Sequence, residues 1–180
     1  VDGFIVPCLP DMFSMYGIRN IGSSLKQWKQ EFDTIYKLIS NSKRERFPNE
    51  FVQFLGYTIY NAKKYQKHLN EWDLAQAHYN YAQKIPSVIE KYVVEEVRKH
   101  LSSDMVHNPI GNTAVMHSHN TLPNMSQKYR KPIWEVPNCE LDSEDKSTIK
   151  GNASSLYYPT REKYRVFAEA FLERIATLDE

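Results

Sequence analysis

His107, His117 and His119 are the residues of this sequence best placed, by type and spacing, to hold a metal ion. On an extended segment, residues two apart face the same side, so His117 and His119 have the spacing to chelate one ion through imidazole nitrogens. No cysteine or carboxylate lies within a few residues to complete the set, and the alternative is hydrogen bonding where a strand passes into a loop. Phosphate chemistry is constrained more tightly. Glycines stand at 3, 17, 22, 56, 111 and 151, and none is followed by lysine, so the chain holds no Walker A loop. Ser14, the histidines and the aspartates show no recognisable nucleophile spacing.

Cationic side chains form the second chemical theme. Lys43, Arg44 and Arg46, then Lys63, Lys64 and Lys67, face only Glu45 and Glu50 between residues 41 and 67, and Lys128, Arg130 and Lys131 form a third group. Phosphate contacts from such groups would make DNA binding strongly salt-dependent. The alternative is a solvated face, where most lysines and arginines sit. The formal net charge is only +1, so any site for a polyanion must be local. Among the twelve tyrosines, those interleaved with lysine have the chemistry to stack bases. Trp72, Tyr79 and Tyr81 are a candidate partner surface, because Trp and Tyr dominate interface hot spots.

The elements that must position these residues follow from periodicity. Phe4-Ile5-Val6 reads as a strand buried on both faces, ended by Pro7 and Pro10. Ser14 is a candidate N-cap for a helical turn through Ile18, and a helix is expected from Gly22 or Ser23. Its apolar face would be Leu25, Trp28, Phe32, Ile35, Tyr36 and Ile39. Phe51–Ile59 is the next strand, in which Gly56 signals close approach of another backbone. A helix is expected from about Asp73 to Pro86, then a second one capped by Ser87, with Ile89, Tyr92, Val93, Val97 and Leu101 on its apolar face. Thr113–Met116 reads as a third short strand, and Asn120 or Thr121 opens a helix around Met125 and Tyr129 that Pro132 closes. Residues 138–158 read as a loop, and a C-terminal helix covers 159–180, with Tyr164, Phe167, Phe171, Ile175 and Leu178 on one face. This alternation predicts an α/β domain with a parallel sheet.

At 180 residues the chain can bury a core without a staple, and Cys8 and Cys139 stand far apart outside any C-x-x-C pair. No apolar run approaches the roughly 18 residues of a membrane span. A cytoplasmic, membrane-free setting is therefore expected, with Cys8 an inert packed thiol. Because Val1 opens inside a strand without an initiator Met, the chain is expected to be a piece of a longer protein.

Asp2-Gly3-Phe4-Ile5-Val6-Pro7 through Ser14-Met15-Tyr16-Gly17-Ile18 resembles the segment after the Walker B strand in ParA/MinD-type deviant Walker ATPases. Phe54-Leu55-Gly56-Tyr57-Thr58-Ile59-Tyr60-Asn61 is similar to the following strand of that family. Asn120-Thr121-Leu122-Pro123 through Lys131-Pro132-Ile133 is similar to its later loop and helix, although Lys131 stands where a glycine is usual. The matches cover residues 1–61 and 113–137 as an NTPase-like core, with 62–112 a helical insertion. The resemblance implies the C-terminal part of a P-loop NTPase fold, completing a sheet begun by a missing N-terminal half. It implies ATP and Mg²⁺ as cofactors of the parent protein, a homodimer, and action in DNA partitioning or cargo positioning. Asn61 would face the base, with backbone at Leu122 and Pro123 walling the pocket; the alternative is that Asn61 merely ends a strand. The resemblance implies DNA contact by dispersed lysines and arginines, here Lys43, Arg44, Arg46, Lys63, Lys64 and Lys67. Without a γ-phosphate or Mg²⁺ grip, no ATPase activity is expected of this chain alone. An interaction module retaining part of an NTPase fold, without catalysis, is the other reading.

Overall fold

In the computed structural model, residues 3–45, 51–64, 70–94, 97, 103–149 and 154–176 are described. Strand β1 (Gly3–Cys8) pairs in parallel with β2 (Gln53–Ile59), and helix α1 (Met12–Leu38) makes the crossover between them. The remaining helices are α2 (Asn41–Arg44), α3 (Gln76–Ala82), α4 (Ile85–Ile89), α5 (Ser103–His107), α6 (Leu122–Tyr129), α7 (Ser143–Ile149) and α8 (Ser154–Ala176). The described residues thus form a mixed α/β structure dominated by helix. None of their helices is long and apolar enough to cross a membrane.

The two expected strands lie side by side in one direction, but β1 is not buried on both faces. Val6 and Cys8 are buried while Pro7 between them is exposed. At Phe4/Ile5 the ladder breaks register: Phe4 pairs with Phe54 and Ile5 with Gly56, leaving Leu55 as an extra residue on β2. Such a bulge frees a carbonyl from the ladder. Arg174 of α8, itself 8% exposed, donates from Nη1 to the Leu55 carbonyl at 2.8 Å. Gly56 follows with φ +126°, and a Cβ there would lie 1.9 Å from Arg174 Nη1. The close approach expected at Gly56 is real, but a guanidinium makes it, not another backbone.

The expected break inside the first helix is absent. Asp11, not Ser14, is the N-cap: its Oδ1 accepts from the Ser14 N–H at 2.8 Å, while the Ser14 hydroxyl accepts from the Leu9 N–H at 2.9 Å. With both donors satisfied at the entrance, the helix runs unbroken through Gly17 and Gly22. Gly22 is needed for packing, since a Cβ there would lie 2.0 Å from the Tyr92 carbonyl oxygen. The buried face is Ile18, Gly22 and Leu25, whereas the expected Trp28 and Ile35 are 55% and 49% exposed.

The segment 62–112 belongs to the main core. Trp72, Leu74, Ala82, Ile85, Ile89, Val93 and Val97 join Val6, Cys8, Phe54, Tyr57 and Ile59 in one apolar cluster. Trp72 is buried in this cluster and meets Tyr79, partly buried against it, edge-on at 5.8 Å. Asp73 is at φ +52°, and α3 begins only at Gln76. Pro86 sits in the first turn of α4, where its missing N–H costs nothing, so it starts a helix where a break was expected; Ser87 lies inside that helix, not at its cap. A π-helical turn, Glu90–Val94, continues α4, and Leu101 lies outside the described residues.

Thr113–Met116 is not a third strand. Beside the end of β2 the chain makes one parallel bridge, Ala62 to His117. Around it the Met116 N–H donates to the Ile59 carbonyl, the Ala62 N–H to the Met116 carbonyl and the Ser118 N–H to the Ala62 carbonyl. The expected loop 138–158 contains α7, and α8 starts at Ser154 with Pro159 inside it, ahead of the expected opening. Leu178 lies outside the described residues. Leu122, Met125, Val136 and Ile149 form a second, smaller apolar cluster under α6 and α7.

Candidate functional site

The densest gathering of chemically capable side chains lies just past the carboxyl end of β2. Asn61 leaves the strand at φ +50°, a left-handed conformation that Asn tolerates better than most residues. The chain then binds neighbours on two sides: Ala62 bridges to His117, and Lys64 bridges to Leu74. Asn70 shapes the turn between them. Its Oδ1 accepts from the N–H groups of Trp72 and Leu74, and its Nδ2 donates to the Leu74 carbonyl at 3.0 Å.

His117 is fixed through both ring nitrogens. Nε2 lies 3.1 Å from the Trp72 carbonyl oxygen, which can only accept, so Nε2 carries the proton. Nδ1 is then a bare lone pair, and it accepts from Lys163 Nζ of α8 at 3.3 Å. Burial and the Lys163 charge push the His117 pKa down to about 4, so the ring is neutral at pH 7. Burial also lowers the Lys163 pKa; Asp73 opposes the shift and Lys64 adds to it. His119 Nε2 lies 2.7 Å from the buried Thr160 hydroxyl, and burial lowers this imidazole's pKa too. The two histidines therefore join α8 to the end of the sheet.

Beside this junction, Glu71, Asp73, Thr113, Ala114, Pro159, Glu162, Lys163 and Val166 line a cleft of about 280 Å³. Glu162 is paired with Arg165 one turn along α8. The cleft joins an amine, carboxylates and an apolar wall of Ala114, Pro159 and Val166.

The structure separates several residues that the sequence grouped. The His107 ring is exposed, and only its carbonyl is used, as acceptor for the Tyr57 hydroxyl at 3.2 Å. Among the described residues no three His, Cys, Asp or Glu side chains gather to hold a metal ion. Lys43 and Arg44 sit on α2 ahead of β2, and Arg44 lies over the Tyr36 ring at 5.3 Å. Lys63 and Lys64 follow the other end of β2. Arg46 and Lys67 lie outside the described residues. Asn61 is exposed; Leu122 buries its side chain in the smaller cluster while Pro123 is exposed in the first turn of α6. Cys8 is packed into the core, and burial pushes its thiol up to about 12. Sequence reasoning missed Asp73, Thr160, Lys163 and Arg174. Only Lys163 left a trace, as a charged neighbour of Tyr164 on an otherwise apolar helix face.

No family model, curated protein or solved structure matches this chain.

Proposed function

We propose that the chain is the C-terminal portion of a ParA-like P-loop ATPase that partitions DNA or positions cargo. In this reading it shapes the nucleoside pocket and carries DNA and partner surfaces. The observation that supports it is the parallel pairing of Gly3–Cys8 with Gln53–Ile59 across one helix, because these two stretches carry the resemblance. Ligands of open parallel sheets bind beyond the carboxyl ends of the strands, and Asn61 stands there with an exposed side-chain amide. Such an amide offers a purine edge both a donor and an acceptor. The Leu122 side chain is buried while Pro123 is exposed, so in this reading the Leu122 backbone and Pro123 would wall the base. ATP and Mg²⁺ would be gripped by the phosphate-binding half of the parent protein, which supplies the phosphoryl-transfer chemistry; this chain would orient the base. The parent would act as a cytoplasmic homodimer with non-specific DNA contact.

Two measurements test the reading. The coding sequence upstream of Val1 is expected to contain a deviant P-loop, and an unrelated domain there would sink the proposal. In the full-length product, 8-azido-ATP is expected to label peptides around Asn61 and Leu122–Pro123, with Asn61→Ala reducing the labelling. The 180-residue chain alone is expected to show no Mg-dependent ATP hydrolysis, and measurable turnover would refute the assignment.

The second reading, an interaction module without catalysis, draws on α1. Phe13, Trp28, Ile35 and Leu38 are 78%, 55%, 49% and 81% exposed along it. A chain that sediments as a clean monomer and lacks a P-loop upstream would favour this second reading.

A further inference from the structure

We propose that Lys163 is a nucleophilic amine that captures a small carbonyl compound as an imine in the cleft it lines, with His117 as its positioning residue. This inference does not depend on the ATPase reading.

The geometry begins with the acceptor. A lysine held by a carboxylate is stabilised as an ammonium and has no lone pair to offer. Lys163 is held instead by the neutral Nδ1 of His117, whose tautomer is fixed by the Trp72 carbonyl on the far side of the ring. The amine is thus oriented by an uncharged partner. Half-burial on α8 is the main influence and disfavours the charged form; Asp73 pulls the other way, and Lys64 adds a smaller repulsion. The other carboxylates on the cleft are Glu71 and Glu162, and Glu162 is engaged by Arg165.

Room and proton traffic complete the site. At about 280 Å³ the cleft takes a ligand of modest size against Ala114, Pro159 and Val166. In the reaction the Lys163 ammonium first releases a proton to solvent or to a cleft carboxylate. The free Nζ lone pair then attacks the carbonyl carbon and forms a C–N bond, giving a carbinolamine. That proton returns to the carbinolamine oxygen, which leaves as water while the C=N bond forms. Aldehyde plus ammonium thereby becomes protonated imine plus water, and no oxidant or reductant is required.

The test uses the intact chain and pyridoxal 5′-phosphate as the carbonyl probe at pH 7.5. Sodium borohydride traps the imine as a secondary amine, and peptide mass spectrometry locates it. Lys163 is expected to be labelled faster than exposed lysines such as Lys26, since burial beside a neutral acceptor raises its free-amine fraction. Lys163→Arg is expected to remove this label and leave the others. His117→Asp replaces the neutral acceptor with an anion, so the labelling-rate midpoint of Lys163 should move to higher pH. Labelling of Lys163 no faster than the exposed lysines in the unaltered chain would overturn the proposal. An unchanged pH midpoint in a folded His117→Asp chain would overturn the role of His117.

Discussion

Helix α8 is attached to the sheet at two places, and the two attachments differ in kind. Near its carboxyl end Arg174 is buried and donates to a carbonyl that the β-bulge has released, with Gly56 shaped around it. Near its amino end Thr160 and Lys163 meet His119 and His117 in half-buried contacts, of which the Lys163–His117 hydrogen bond depends on a neutral imidazole. The first attachment is insensitive to pH over the whole biological range. The second titrates. A helix pinned at one end by a permanent charge and held at the other by the neutral His117 ring has a stable anchor and an adjustable neighbour.

The largest effect should come from breaking the anchor. Arg174→Leu leaves the Leu55 carbonyl buried without this donor and should cost about 2–4 kcal/mol, read as a lower urea midpoint. Gly56→Ala should be of similar size, because the left-handed backbone and the guanidinium both exclude a Cβ. Next comes pH. The folded pKa of His117 lies near 4, below its ordinary value near 6.5, so the unfolded chain binds more protons between those limits. Stability is therefore full above pH 6.5 and falls as the pH drops toward 4, by roughly 1–2 kcal/mol at pH 5. In His117→Leu this part of the acid slope should vanish, whereas Arg174→Leu should shift the whole curve and keep the slope. A smaller loss, about 1 kcal/mol, is expected for Thr160→Val, which removes the hydroxyl facing His119 but keeps the side-chain volume. The smallest change should follow from Asp142→Asn. Lys128 bridges Asp142 and Asp145 and holds the Asp142 carboxyl down near 2, but Lys128 and Asp142 face water. Its urea midpoint should not move measurably, and a clear shift would mean that α6 and α7 depend on this exposed cluster.

What the sequence revealed depended on how local the deciding interaction was. The strands at Phe4–Val6 and Phe51–Ile59 were legible because continuous apolar bulk bounded by Pro or polar residues has few other uses. The helix around Met125 and Tyr129 was equally plain, closing at Arg130, which takes φ +52°. The unbroken α1 was not legible. Its entrance is set by Asp11 capping the Ser14 N–H while the Ser14 hydroxyl takes the Leu9 N–H, and its core face is displaced by a glycine seated against Tyr92. Likewise, apolar spacing cannot show that Trp72 turns inward, since an interface aromatic and a core aromatic look alike in one dimension.

The candidate site divides the same way. His117 and His119 drew attention through their spacing, but their partners Trp72, Thr160 and Lys163 lie 41 to 46 residues away. Arg174 reaches across 119 residues to Leu55, a separation that leaves no local pattern. A buried cation on the last helix is visible only once the bulge has exposed its carbonyl.

The extra residue at Leu55 also resets the inside–outside count along one strand but not the other. On β1 the core-facing side chains Phe4, Val6 and Cys8 keep the even spacing of an undisturbed strand. On β2 their partners are Phe54, Tyr57 and Ile59, a step of three and then of two. Without that odd step, Phe54 and Tyr57 would point to opposite sides of the sheet. Pairing the same residues without the bulge would leave every hydrogen bond of a regular ladder available and still turn half of the strand inside out, whereas a strand lacking Leu55 would keep Phe54, Tyr57 and Ile59 on one face.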